Sequence, residues 1–172
     1  MSWNPPLYNQ TQAFKLHKVD PVIFVDASTW YDITFDSKND DESTPDFDFF
    51  SSDVLSVIKS NTTGIFFVGG CVRPKWGGAA NTAVSILTRI VVSTDAGETY
   101  VEKRCLQSIV GRALSEAEVG TQQYAGSVMV SPDDLIKLQA QVSSTDMTFT
   151  GSTSFDSPVS VSLQIYGGQL EV

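Results

Sequence analysis

From residue 21 onward, apolar and polar residues alternate in short runs, a pattern typical of β-strands. These runs are rich in β-branched and aromatic side chains, and clusters of Gly, Pro, Asp and Asn separate them. The pattern predicts strands in the segments 21–27, 29–36, 47–58, 62–72, 82–93, 99–110, 123–130, 135–142 and 159–166. About eight to ten strands without a convincing helix predict a β-sandwich or barrel.

Two of these segments make sharper predictions. Residues 64–72 form a nearly continuous apolar run, which is expected of a strand buried on both faces. Residues 82–93 alternate between two faces of a strand. One face is expected to carry Val84, Ile86, Thr88, Ile90 and Val92, and the other Ser85, Leu87, Arg89 and Val91. Residues 73–81, with a proline and a glycine pair, are expected to break the strand pattern, and residues 111–123 are expected to form a loop with at most one helical turn.

Ser131-Pro132-Asp133-Asp134 joins two alternating runs and places two carboxylates side by side. Proline cannot donate to a central ladder, and Asp favours turns, so the joint predicts a turn between two strands. An acyl-transfer site would need a histidine as its base, and the only histidine, His17, lies near the N-terminus. A glycosidase needs only two carboxylates, but the sequence offers no pattern that singles out a pair. We therefore expect no enzyme.

Composition and charge exclude several kinds of partner. Twenty acidic residues against eleven basic ones give a net charge of −9, which argues against nucleic acid and anionic membranes. No apolar run approaches the roughly 20 residues of a membrane-spanning helix. The first twenty residues hold no apolar core of signal-peptide type, so synthesis in a cytoplasm is expected.

The sequence predicts neither a cofactor nor a metal centre. Cys71 and Cys105 lack the paired spacing of a metal site and are interpreted as small buried hydrophobes. They could form a disulfide only if their strands are adjacent. The acidic loop 40–48 offers carboxylates to a calcium ion, but it lacks the EF-hand spacing and is interpreted as a solvated loop.

The first twenty residues differ from the rest of the chain and show no strand or helix period. We interpret residues 1–20 as an arm and residues 21–172 as the folded domain. The apolar side chains and prolines that would anchor the arm to a larger particle are Trp3, Pro5, Pro6, Tyr8 and Phe14. The alternative is a disordered terminus.

Four elements, in order along the chain, carry a resemblance to a known family. They lie in the segments 33–36, 64–72, 125–140 and 163–168. In this order the segments resemble the C1q/TNF-like jelly-roll family. The chain departs from that family at Phe66, where the family has tyrosine, and at Asp133, where it has glycine. No collagen-like stalk precedes the domain.

The resemblance implies a jelly-roll β-sandwich of about ten antiparallel strands that assembles as a homotrimer and works by binding rather than catalysis. Such trimers bury aromatic and aliphatic side chains along the three-fold axis. The candidates for that role are Phe66, Phe67, Tyr124 and Tyr166. The alternative for each is the ordinary core of one chain.

The arm and the small share of charged residues (18%), taken with the resemblance, indicate a virion structural protein of bacteriophage type. The expected role is capsid decoration (cement) or a head fibre, with the arm bound to a capsid or other virion protein. The alternative is a receptor- or carbohydrate-binding head of a tail fibre that recognises a host-surface glycan. Its candidate residues are three aromatics near loops, Trp30, Tyr31 and Trp76, because aromatic rings stack on sugars.

Overall fold

The computed structural model describes residues 14–18, 20–35, 37–38, 46–51, 54–79, 81–113, 122–150 and 162–169. Within these ranges the chain forms strands and no helix, so none of the described segments is a helix that could cross a membrane. The strands are β1 (Phe14–His17), β2 (Val22–Ile23), β3 (Tyr31–Asp32), β4 (Ser37–Lys38), β5 (Phe47–Ser51), β6 (Val54–Ser60), β7 (Gly64–Val72), β8 (Pro74–Trp76), β9 (Thr82–Ser93), β10 (Val101–Ala113), β11 (Gln122–Val130), β12 (Leu135–Val142), β13 (Met147–Phe149) and β14 (Ser162–Gln169).

The strands form three antiparallel sheets. The first sheet has the order β11-β7-β14-β1-β4, and the second has the order β10-β9-β12-β6-β5, with β3 added to β12. A small end sheet has the order β2-β13-β8. Its strands β8 and β13 follow directly after β7 and β12 in the chain, so it lies at the end of the sandwich where those two strands finish. Neighbouring strands within each sheet are mostly distant in sequence, which is why the pairing pattern could not be read from the strand pattern alone.

The core lies between the inner faces of the first and second sheets. The expected inner face of β9 is confirmed, since its five predicted residues are all buried. On β12, the same period of two buries Ile136, Leu138, Ala140 and Val142. Burial of each large aliphatic side chain contributes about 1.5–3 kcal/mol, so these two strands supply much of the hydrophobic stabilisation.

Aromatic side chains tie the sheets together through edge-to-face contacts. The rings of Phe47 and Phe66 lie 4.8 Å apart at 89°, and join the edge strand β5 to β7 of the opposite sheet. Phe24 contacts Phe149 at 4.9 Å and Tyr31 at 5.3 Å, and connects the end sheet to the second sheet. This geometry is the favoured one for ring pairs, and each pair is worth about 0.5–1.5 kcal/mol beyond its buried area.

Two segments differ from the sequence-based expectation. Pro74–Trp76 was expected to break the strand pattern but forms β8, where the proline takes the first position of an edge strand and leaves no ladder donor missing. Residues 111–113 extend β10 instead of starting a loop, because Ala113 pairs with Thr82 at the beginning of β9 after a register shift. The remainder of that expected loop, 114–121, lies outside the described residues.

The folded domain begins earlier than expected. β1 inserts between β14 and β4 of the first sheet, and Leu16 is completely buried in the core. The boundary placed after residue 20 is therefore too late, and the domain includes residues from Phe14 onward. The sequence did not reveal this strand because four residues are too few to display a period of two.

The carboxylate pair between β11 and β12 forms the predicted turn. Asp134 is buried, and its Oδ2 accepts a hydrogen bond from the Ser131 N–H at 2.8 Å. Asp133 has a φ of 71°, its N–H donates to the Ser60 carbonyl at 2.8 Å, and its carboxylate lies 2.6 Å from Lys59 Nζ. Asp tolerates this left-handed conformation better than most residues. The Asp134 carboxylate therefore closes the turn, and Asp133 holds the turn against the end of β6.

The hairpin between β9 and β10 is held by its own side chains. Asp95 Oδ1 accepts hydrogen bonds from the Ser93 hydroxyl at 2.6 Å and from the Thr99 N–H at 2.9 Å, while the Thr99 hydroxyl donates to Oδ2. The Gly97 N–H donates to Ser93 Oγ at 2.9 Å, at a φ of 94° that suits glycine. The hydrogen bonds from Ser93, and then those from Thr99, lower the pKa of Asp95 from 3.8 to about 2.

This hairpin is expected to respond to acid in a defined range. A carboxyl whose pKa is lower in the folded state stabilises the fold above its unfolded pKa of 3.8, and that stability is lost as the pH falls through about 2. An NMR titration of the Asp95 carboxyl carbon should therefore show a midpoint near 2, and Ser93→Ala should move the midpoint towards 3.8. A midpoint of 3.8 in the unaltered protein would show that these hydrogen bonds do not form.

Candidate functional site

An exposed apolar surface on the first sheet is the most distinctive feature of the described molecule. On β7, Phe66 and Val68 face the core, while Ile65 is 53% exposed and Phe67 is 52% exposed. The nearly continuous apolar run was expected to be buried on both faces, and this expectation is wrong for the single chain. One side of β7 is covered by the second sheet, and the other side is open.

The neighbouring strands extend this surface. On β11, Met129 pairs with Ile65 in the register and is 63% exposed, and the exposed Ser127 pairs with Phe67. On the other side of β7, Tyr166 of β14 pairs with Phe67. Directly opposed residues of an antiparallel pair have Cβ atoms about 4.5–5.5 Å apart, so Met129 adjoins Ile65 and Ser127 adjoins Phe67 on this surface. We call Ile65, Phe67 and Met129 the apolar face.

The residues expected on a three-fold axis have different positions. Phe66 is only 2% exposed and packs against Phe47, so it belongs to the core of one chain and the axis assignment is wrong for it. Phe67, its neighbour, lies on the apolar face. In the register, Tyr166 is opposite Phe67 and Tyr124 is opposite Gly70. The structure does not describe the side chain of either tyrosine.

Sequence reasoning missed two members of the apolar face. Ile65 was treated as part of a doubly buried run, and Met129 was treated only as part of an alternating strand. A period-two reading of β7 would have grouped Ile65 with Phe67, since both lie at odd-numbered positions. Met129 required the register of β11 against β7, because residues so far apart in sequence are brought together only by strand pairing.

The proposed anchors of the arm lie mostly outside the described residues. These are Trp3, Pro5, Pro6 and Tyr8. Phe14 opens β1, where it pairs with Ile165 of β14. β1 runs towards the start of β14, so its first residue lies on the side of Gln169, at the end opposite the end sheet.

The outer face of the second sheet is closed by polar and aromatic side chains. The Arg89 guanidinium lies 4.0 Å from the centre of the Trp30 ring. Its Nε donates to Gln139 Oε1 at 2.7 Å, and its Nη1 lies 3.3 Å from Glu102 Oε2. Arg89 thus joins β9, β10 and β12 and covers one face of the Trp30 ring, a contact worth about 0.5–1 kcal/mol at an exposed site.

A second group of contacts continues this network towards β3. Asp32 accepts hydrogen bonds from Lys137 Nζ at 2.7 Å and from Gln139 Nε2 at 2.6 Å. The Lys137 ammonium also lies 4.2 Å from the Tyr100 ring, and desolvation raises the pKa of Tyr100. Val91 is buried on this side of β9, between Lys137 and Glu102 in the register. The two outer faces therefore differ: this one is occupied by paired charges, and the apolar face is not.

The aromatics proposed to bind sugar are engaged in the fold. Trp76 is buried, and its Nε1 donates to the Ala79 carbonyl at 2.9 Å. The Tyr31 hydroxyl accepts the Asp26 N–H at 2.6 Å, and the Tyr31 ring packs on Phe24. With Trp30 beneath Arg89, each of the three has a structural partner.

The remaining candidate groups form no reactive cluster in the described part of the chain. The described residues contain no group of three His, Cys, Asp or Glu side chains that could hold a metal ion. Residues 40–45 of the proposed calcium loop lie outside those ranges. Cys71 is half-buried on β7 of the first sheet, whereas Cys105 is on β10 of the second.

Comparison with known proteins identifies the fold. No protein-family model matches the sequence, and no curated protein matches it. Solved structures do match: murine APRIL at pH 8.5 and at pH 8.0 each give a TM-score of 0.56 with 10% identity, over 90% of this chain and 97% of that chain. Murine APRIL at pH 5.0 gives 0.51 with 11% identity, over 90% and 98%. The predicted TNF-like jelly-roll β-sandwich is thus confirmed, and at this identity the likeness concerns the fold alone.

Proposed function

We propose that the protein is a non-catalytic homotrimer whose subunits associate through the apolar face. The observation that carries this proposal is the open side of β7, where Ile65 and Phe67 alternate with core residues and Met129 adjoins them. A contiguous exposed apolar patch on a soluble protein marks an interaction site. The sequence of β7 is that of a strand buried on both sides, and a second copy of the chain would provide the missing cover.

The contrast between the two outer faces supports this choice of interface. Association over the second sheet would require removing the charges of Arg89, Glu102, Lys137 and Asp32 from water, and desolvation of ion pairs often costs as much as their attraction returns. Association over the apolar face removes uncharged side chains from water and gains about 25 cal/mol for each Å² of apolar area. We propose three copies, and not another number, because the resemblance to the jelly-roll family implies a homotrimer.

We further propose that the trimer is a virion structural protein, in capsid decoration or a head fibre, attached through the N-terminal segment. Residues 1–13 hold Trp3, Tyr8 and two prolines next to several amides, a composition suited to docking on another protein. Because β1 begins on the side of Gln169, an attachment through the preceding segment would lie at one end of the sandwich. The end sheet would then face away from the particle.

Deletion of the N-terminal segment tests this attachment. A chain without residues 1–13 retains β1 and the buried Leu16, so it should stay folded but no longer cosediment with the virus particles that carry the full-length protein. A chain that lacks residues 1–17 is the comparison. It also loses Leu16, so its free energy of unfolding should fall by roughly 2–5 kcal/mol, as for other losses of a large core side chain. Continued cosedimentation of the shorter deletion would contradict the role of the segment, and absence of the full-length protein from particles would contradict the virion assignment.

The structural roles of the acidic residues support a function without catalysis. Asp133 and Asp134 hold a turn, Asp95 holds a hairpin, and Asp32 holds β3 on the second sheet. A hydrolase would need a carboxylate pair that faces a substrate site. Since the three proposed sugar-stacking aromatics also have partners within the fold, we propose no second function.

A further inference from the structure

We draw no further inference here: the strongest candidate, the exposed apolar pair Ile23 and Val25 at the β2 edge of the end sheet, carries nothing because nothing in the structure shows what covers it.

Discussion

Replacing Ile65 with glutamate is expected to convert the proposed trimer into folded monomers. Ile65 is 53% exposed in the single chain, so a glutamate there can reach water and the isolated sandwich keeps its core. In the assembled protein the same carboxylate would be buried against a neighbour without a partner, at a cost of about 3–5 kcal/mol for each copy. Native mass spectrometry should report single chains, and circular dichroism should report an unchanged β-sheet spectrum.

The end sheet supplies a matched control for this substitution. Ile23 is 68% exposed on β2, so Ile23→Glu makes the same chemical change at a similarly exposed strand position away from the apolar face. It should leave the trimer intact. If Ile65→Glu remains trimeric, the interface lies elsewhere, and if both variants dissociate, the effect reflects charge in general and not the apolar face.

The second large effect is a difference in stability between substitutions at two adjacent residues of β7, one facing the core and one facing outward. Phe66→Ala removes a ring that is 2% exposed and contacts Phe47 at 4.8 Å, so it should reduce the free energy of unfolding by about 3–5 kcal/mol. Since whole domains have only about 5–15 kcal/mol of stability, this loss is a large fraction of the total. Phe67→Ala removes a ring that is half exposed, and should reduce the free energy of unfolding of a monomer by only about 1 kcal/mol.

Both variants should be compared in the Ile65→Glu monomer, because the unfolding of an oligomer also depends on the dissociation of its subunits. Urea titration followed by circular dichroism then gives the two free energies on the same basis. In the protein with Ile65 intact, Phe67→Ala should instead weaken assembly. Equal effects of the two substitutions on monomer stability would mean that β7 does not have the orientation described.

How much of this could be predicted from sequence is clearest in β7 and β9. The alternation in β9 predicted the correct inner face, because Ser85 and Arg89 identify the opposite side as the more polar one. In β7 both faces are apolar, so the pattern could not show which face is the core, and Phe66 and Phe67 were both candidates for the three-fold axis. That ambiguity has a physical origin, since the proposed interface and the core impose the same preference for apolar side chains.

Other features depend on pairing between distant segments. The four residues of β1 and the three of β8 are too short to show a period, and only their neighbours in the first sheet and the end sheet make them strands. Met129 became part of the candidate site only through its register with Ile65. By contrast, the turn at Asp133 and Asp134 was predictable, because its residue types have local conformational preferences that do not depend on the rest of the chain.

The central claim is that the open side of β7 is covered by further copies of the chain. The most direct measurement is the native mass of the full-length protein at micromolar concentration, by mass spectrometry or by light scattering coupled to size-exclusion chromatography. The proposed trimer predicts a single species of three times 18.7 kDa. A single species of 18.7 kDa at that concentration would contradict it.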